Sequence, residues 1–241
     1  MLRIHSFESM GTFDGPGLRL VVFMQGCNFK CAYCANPDTI PFTKGRNIEE
    51  NEVVRRAISE KAFFGKKGGV TFSGGEPMLQ ARLLIPIMRQ LKENGIHICV
   101  DTNGSIMNED VKEVYNLIDM VLLDVKQTNN EKHHELTEHS CDQVWKTAKY
   151  LEEIDMPVRL RCVMVPGFND SEEDIRLLCE KYSPLKNIDR VEILPYHTYG
   201  VHKYETMGWE YRLKGVKEHT PEQIDHFTSL FREYFPNVWT Q

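Results

Sequence analysis

Three cysteines crowd into eight residues of this chain, in the run Cys27-Asn28-Phe29-Lys30-Cys31-Ala32-Tyr33-Cys34. Thiolates spaced Cys-x-x-x-Cys-x-x-Cys on one short loop can turn inward to a common centre. Three are enough to hold three corners of a cubane iron–sulfur cluster and to leave the fourth iron open, whereas fully ligated clusters use four cysteines. A closed structural zinc site also wants four ligands. The nearby candidates for a fourth, Asn36 and Asp38, are poor companions for three thiolates. The spacing therefore favours an open-cornered 4Fe–4S cluster on Cys27, Cys31 and Cys34 over zinc. A simple electron carrier is disfavoured by the same missing cysteine. Cys99, Cys141, Cys162 and Cys179 are scattered and read as packing or surface residues, since free cysteine behaves as a small hydrophobe.

Other residues able to do chemistry recur at intervals. In Gly74-Gly75-Glu76-Pro77, two glycines let the backbone come close to a ligand, and Glu76 can balance an ammonium. Asp101-Thr102-Asn103-Gly104 and Leu122-Leu123-Asp124-Val125-Lys126 each supply an acid; Arg161 and His197 follow. Asp14-Gly15-Pro16-Gly17 is a turn by its own chemistry. Taken singly, each has a plain reading. The glycine pair is a loop, the acids are surface or cap carboxylates, Lys126 is a solvated rim lysine, and His197 is a satisfied loop histidine.

The elements that must position them give these residues a common place. Strand-like runs at Leu18–Met24, Gly69–Phe72, His97–Val100, Met120–Val125, Val158–Val165 and Arg190–Leu194 are short and apolar, as strands buried on both faces should be. Helix-like runs alternate with them: Asn47–Phe64, Met78–Asn94, Asn108–Leu117, Ser140–Ile154, Ser171–Tyr182 and Pro221–Tyr234. Acids open the first of these, Gly95 closes the second, and Pro86 predicts a kink or break within it. Serial strand–helix units argue for an α/β fold with a parallel sheet and helices outside it. Six units fall two short of a closed eight-stranded barrel, so an incomplete TIM-type barrel is expected, with a doubly wound sheet as the alternative. In a β/α barrel the chemistry sits at the C-terminal ends of the strands. Predicted strands one to four and six end at or just before groups named above, and strand five carries Arg161 and runs into Pro166-Gly167, so all six are expected to reach one rim.

The chain has 241 residues, 41% of them hydrophobic, and a formal net charge of −6. One globular domain over 1–241 is expected, and nothing asks for nucleic acid or an anionic membrane. No apolar run is long enough to span a bilayer, and the cysteine usage suits a reducing compartment, so a cytoplasmic location is expected.

The cysteine spacing, with an aromatic (Tyr33) before the last cysteine, resembles the signature of the radical S-adenosylmethionine superfamily. The resemblance implies a 4Fe–4S cluster whose open iron binds the amino and carboxylate groups of S-adenosylmethionine, and reductive cleavage to a 5′-deoxyadenosyl radical. Tyr33 and the Gly74-Gly75-Glu76-Pro77 motif would belong to the binding site of that cofactor. Further matches are to one subgroup, the pyruvate formate-lyase activating enzymes. They imply that Asp101, Asp124, Lys126, Arg161 and His197 bind the ligand. They also imply that Asp101, Thr102, the Leu122 carbonyl and Asp124 hold a monovalent cation, Na+ or K+, for which hard oxygen ligands are suited. Residues 6–19, with Asp14 and Gly15, are similar to the segment along the cleft where a substrate peptide docks. The implied activity is that of an oxidoreductase of anaerobic metabolism that takes an α-hydrogen from a glycine of pyruvate formate-lyase. Flavodoxin or ferredoxin would donate the electron, and the protein would act as a monomer. Met10 departs from the cysteine expected in close relatives. Ala35 to Ile98 contains no cysteine, so the cysteine-rich insert of many other glycyl-radical activators is missing. That favours pyruvate formate-lyase over other glycyl-radical enzymes, or a small molecule, as the target.

Overall fold

The computed structural model describes residues 1–240, whose backbone contacts gather into two compact units. The first comprises Met1–Asn28 and Thr39–Leu122; the second comprises Phe29–Asp38 and the residues from Leu123 on.

The first unit holds strands β1 (Leu2–Gly11), β2 (Arg19–Met24) and β3 (Arg46–Ile48), then helix α1 (Glu50–Phe64), β4 (Gly69–Gly74), α2 (Ala81–Glu93), β5 (His97–Thr102) and α3 (Glu109–Leu117). Strand β6 (Met120–Asp124) carries the chain out of it. Strands β2, β4 and β5 are parallel neighbours, with Arg19 opposite Gly69 and Gly69 opposite His97. They form because their apolar runs are buried: Leu20, Val21, Val22, Val70, Phe72, Ile98 and Val100 expose no surface. The apolar stripe of α2, Leu84-Ile87-Met88-Leu91, is equally covered.

The second unit holds α4 (Asn130–Thr137), α5 (Asp142–Glu153), β7 (Val158–Met164), α6 (Glu172–Tyr182), β8 (Ile188–Pro195), α7 (Val201–Met207), α8 (Pro221–Arg232) and β9 (Val238–Thr240). Strands β7, β8 and β9 are parallel. The Ser171 hydroxyl caps α6 by accepting the Asp174 N–H, as its sequence predicts, and α8 begins at Pro221 behind a full capping box of Thr220 with Gln223.

Within the first unit the strand order is β3-β1-β2-β4-β5, and within the second it is β7-β8-β9. From β2 to β5 and from β7 to β9 the order follows the chain without reversal, as in a β/α barrel; a doubly wound sheet reverses at a switch point. The fold is α/β with a mostly parallel sheet. All six predicted strands are present.

Several expectations need correction. The helix expected from Asn47 begins at Glu50. Residues 46–48 form β3, pairing antiparallel with β1 through Leu2–Ile48, because burying Ile48 on that edge outweighs an extra turn of helix. Met78–Asn94 divides at Ala81 into a short 3-10 helix, Pro77–Gln80, and α2. Pro86 does not end α2; one lost N–H bond is offset by the buried stripe around it. Strands β1, β3 and β9 and helices α4 and α7 add to the predicted set. Among the described residues no helix is long and apolar enough to cross a membrane.

Candidate functional site

In the first unit, β2 runs into Gly26, whose φ is +100°, and then Cys27. The return of the loop clamps this point: the Gly26 N–H donates to the Thr39 carbonyl at 2.8 Å and the Cys27 N–H to that of Ile40 at 3.1 Å. The glycine pair after β4 packs onto the same turn. The Gly75 N–H bonds the Met24 carbonyl and the Glu76 N–H bonds that of Gly26, at 3.0 and 2.8 Å. A β-carbon on Gly75 would stand 2.1 Å from the Gly26 oxygen, and one on Gly74 2.6 Å from the Met24 nitrogen. Both positions exclude a side chain.

Glu76 is buried, with 1% of its surface exposed. Its carboxylate accepts from the Met78 N–H at 2.9 Å and from the Thr102 hydroxyl and the Asn103 N–H at 2.8 Å each. Burial pushes its pKa up to about 7, against those three bonds, with the Asp101 charge adding to the rise. Glu76 thus ties the end of β4 to the end of β5. Asp101 accepts a 2.8 Å bond from the Ser73 hydroxyl. Beside Cys27, the Asn28 amide donates to Ser105 at 2.7 Å and its oxygen accepts from the Asn103 amide at 3.1 Å; Ser105 closes the ring to Asn103 at 2.6 Å. Asn28, Asn103 and Ser105 were not legible as site residues, although the first two lie within quoted motifs and Ser105 follows one.

Asp14 and Gly15 lie toward the N-terminal ends of these strands. The Asp14 carbonyl accepts from Thr71, the Pro16 carbonyl from Arg19, and a β-carbon on Gly15 would stand 3.1 Å from the Cys99 sulfur. Asp101 lies two residues further along β5 than Cys99 and on the same face, so the turn and Asp101 occupy successive levels of one strand face.

In the second unit, Cys31 and Cys34 sit on a tight turn closed by the Cys34 N–H on the Cys31 carbonyl at 3.1 Å. Burial pushes both thiols up, Cys34 to about 12, so without a metal they stay protonated, and a metal must displace those protons. Lys126, 8% exposed, bonds the Asp124 carboxylate at 2.8 Å and the Tyr33 hydroxyl at 3.3 Å. Burial opposes the Lys126 charge, yet Asp124 holds its pKa well above the ordinary value. The Asn169 amide donates to the Lys126 and Val163 carbonyls at 2.9 and 2.8 Å and so fixes the loop after β6. Arg161 faces Glu192 at 3.6 Å, and Arg159 reaches the same carboxylate at 3.2 Å. His197 stacks on Tyr199 at 4.7 Å, and its buried Nδ1 has no hydrogen-bond partner among the described residues.

The donor set fits an open-cornered cluster: three cysteines within eight residues of sequence, none of them in a disulfide. Among the described residues no three His, Cys, Asp or Glu side chains gather as the ligands of one metal ion. A cubane spreads its thiolates over separate irons. The unpartnered His197 Nδ1 and the Lys126 ammonium are polar groups suited to a ligand.

A family model described as the radical SAM superfamily matches residues 21–179. The chain is 41% identical over 229 residues to the pyruvate formate-lyase-activating enzyme of Staphylococcus epidermidis, covering 92% of this chain and 91% of the relative. It is 39% identical over 235 residues to the pyruvate formate-lyase 1-activating enzyme of Escherichia coli, covering 96% of each. Among solved structures, a domain of pyruvate-formate lyase-activating enzyme from Bacteroides vulgatus superimposes with a TM-score of 0.61 at 26% identity, over 72% of this chain and 99% of that one. Streptococcus suis SuiB bound to S-adenosylmethionine gives 0.72 at 20% identity, over 93% of this chain and 50% of that one, and shows a shared fold.

Proposed function

Because the chain belongs to the radical SAM superfamily, which uses a 4Fe–4S cluster and S-adenosylmethionine, we propose that it activates pyruvate formate-lyase by generating a glycyl radical on it. The observation that carries this reading is about 40% identity, over nearly the whole chain, to activating enzymes of that name, with the three cysteines in place.

Cys27, Cys31 and Cys34 would hold three irons of the cluster and leave the fourth for the amino and carboxylate groups of S-adenosylmethionine. When bound, these groups supply one electron and a sulfonium carbon–sulfur bond whose cleavage yields methionine and a 5′-deoxyadenosyl radical able to take a glycine α-hydrogen. The chain's own residues bind and orient. Gly74 and Gly75 bring backbone up against the cysteine turn, and the enclosed Glu76 carboxylate positions the ends of β4 and β5. Lys126, Arg161 and the unpartnered His197 nitrogen are the polar contacts for the ligand, with Tyr33 packed beside Lys126. Asp101, Thr102, Asp124 and the Leu122 carbonyl are oxygen donors for a monovalent cation. Asp14 and Gly15 line the path of the substrate peptide, whose glycine must be held close for hydrogen transfer. Flavodoxin or ferredoxin donates the electron, and the protein works as a monomer in the cytoplasm.

The deciding experiment incubates the reconstituted protein anaerobically with pyruvate formate-lyase, a reductant and S-adenosylmethionine. A glycyl-radical doublet in the electron paramagnetic resonance spectrum that requires every component is expected. Its absence with an intact, reducible cluster would transfer the reading to another glycyl-radical partner.

A further inference from the structure

Within the second unit the cysteine loop rests on a mount built by residues far along the chain. On one flank, the Lys30 N–H donates to the Thr137 carbonyl at 3.1 Å and the Ala32 N–H to the Leu136 carbonyl at 2.8 Å. These are carbonyls at the C-terminal end of α4, which intrahelical bonds leave free. Phe29, 1% exposed, stacks on His139 and meets His133 edge-on. On the other flank, the Tyr204 hydroxyl donates to the Cys34 carbonyl at 3.1 Å, and Lys203 reaches Asn36 at 2.8 Å and Asp38 at 3.2 Å. Gly200 lies so near Ala35 that a β-carbon would meet its oxygen at 2.7 Å.

One side chain joins the loop to α4 and also brings charge. The Arg212 Nη2 donates to the Lys30 carbonyl at 3.1 Å and to the Leu136 carbonyl at 2.9 Å. The first of these belongs to the peptide bond that leads into Cys31. Glu138, whose carboxylate lies 3.4 Å from Arg212 and 3.0 Å from Lys30, is the opposing charge. The other charges acting on Cys31 are Lys126 and Asp124, which already pair with each other.

We propose that Arg212 is a positioning residue for the cluster: its Nη2 ties the Lys30 carbonyl, in the peptide that leads into Cys31, to the Leu136 carbonyl of α4, and its charge, countered by Glu138, sets the cluster's reduction potential. Reduction adds a negative charge to the cluster, so a fixed positive charge nearby favours the reduced form and a negative one disfavours it. The planar fork is what Arg has and Lys lacks; the charge is what both share. The inference rests on Cys27, Cys31 and Cys34 holding the cluster.

The test uses the reconstituted full chain and three variants, Arg212→Gln, Arg212→Lys and Glu138→Gln. Iron per chain and far-ultraviolet circular dichroism report folding and loading. Paramagnetic resonance of the reduced cluster is followed through an anaerobic potentiometric titration, and iron loss to a chelator is timed. At the wild-type midpoint, Arg212→Gln should lower the reduced-to-oxidised ratio by about tenfold, which is 59 mV for one electron. Glu138→Gln should raise the ratio. Arg212→Lys should keep the potential but, like Arg212→Gln, lose iron several times faster than wild type. Opposite shifts from the two charge removals are something a purely structural role would not produce. Shifts in the same direction, or none, overturn the inference. Should Arg212→Gln fail to fold, Glu138→Gln and Arg212→Lys still decide it. A wild-type chain that takes up no iron overturns the cluster reading and this inference together; a loaded wild type with unshifted variants overturns this inference alone.

Discussion

The carbonyl oxygen of Gly26 occupies the space a side chain on Gly75 would need: the nearest approach of a β-carbon there would be 2.1 Å. Because the obstacle is backbone, no rotamer change can relieve it. Gly75→Ala should displace the turn ahead of Cys27 at a cost of about 1–3 kcal/mol, and iron uptake should fall more sharply than stability. Urea denaturation and iron content of the reconstituted variant measure both, and full iron uptake would show that the turn tolerates the shift.

Cys31→Ala removes one of three thiolates where no fourth stands nearby in the sequence. The variant should fold with a native circular dichroism spectrum, fail to hold a 4Fe–4S cluster and form no glycyl radical on its partner. Full turnover after reconstitution would contradict the ligand assignment.

Phe29→Ala tests the packing that seats the loop. The ring is buried between two histidines, and its loss should cost about 3–5 kcal/mol. A midpoint in urea within experimental error of wild type would mean that the loop is seated by its backbone bonds alone.

Asp174, on α6, gives the chain a further pH-dependent element. Burial raises its pKa, but bonds from Lys132, Ser171 and Gln127 outweigh that and hold it below the usual value. A depressed carboxylate stabilises the fold above its unfolded pKa of about 3.9 and loses that contribution as pH falls toward the folded value. Asp174→Asn should therefore cost about 2 kcal/mol at pH 7, with the gap to wild type constant to about pH 5 and shrinking below about pH 4. Denaturation of the apo forms across that range tests the sign; a gap that widens on acidification would refute it.

The six parallel strands were legible because each is an apolar run too short for a helix and bounded by turn residues. Their rim groups were legible because glycine, cysteine and acid recur where those runs stop. Strand β1 hid behind an uneven pattern: Leu2 and Ile4 are buried, while residues 8–10 are exposed. Helix α4 buries only His133, Leu136 and Thr137, too little apolar surface to register as a stripe. Arg212 had no local signal, since its partners Lys30 and Leu136 lie 182 and 76 residues away in sequence. Likewise, the sequence offers Glu76 as a charge for a ligand, and only the fold shows three protein donors already around it.

The ring of Asn28, Asn103 and Ser105 also bears on how the protein ages. Asn103-Gly104 is one of two Asn-Gly pairs in the chain, the dipeptide most prone to deamidate through a succinimide, because the glycine nitrogen can swing onto the asparagine side chain. In the fold the Asn103 amide is pinned on both atoms, and the Gly104 N–H is engaged by the Thr102 hydroxyl at 3.1 Å. The native state therefore shields this bond, and unfolding exposes it. Chains held denatured at alkaline pH should accumulate isoaspartate at residue 103, readable by peptide mapping, while folded chains stored equally long should not, so refolding yield becomes a clock for time spent unfolded.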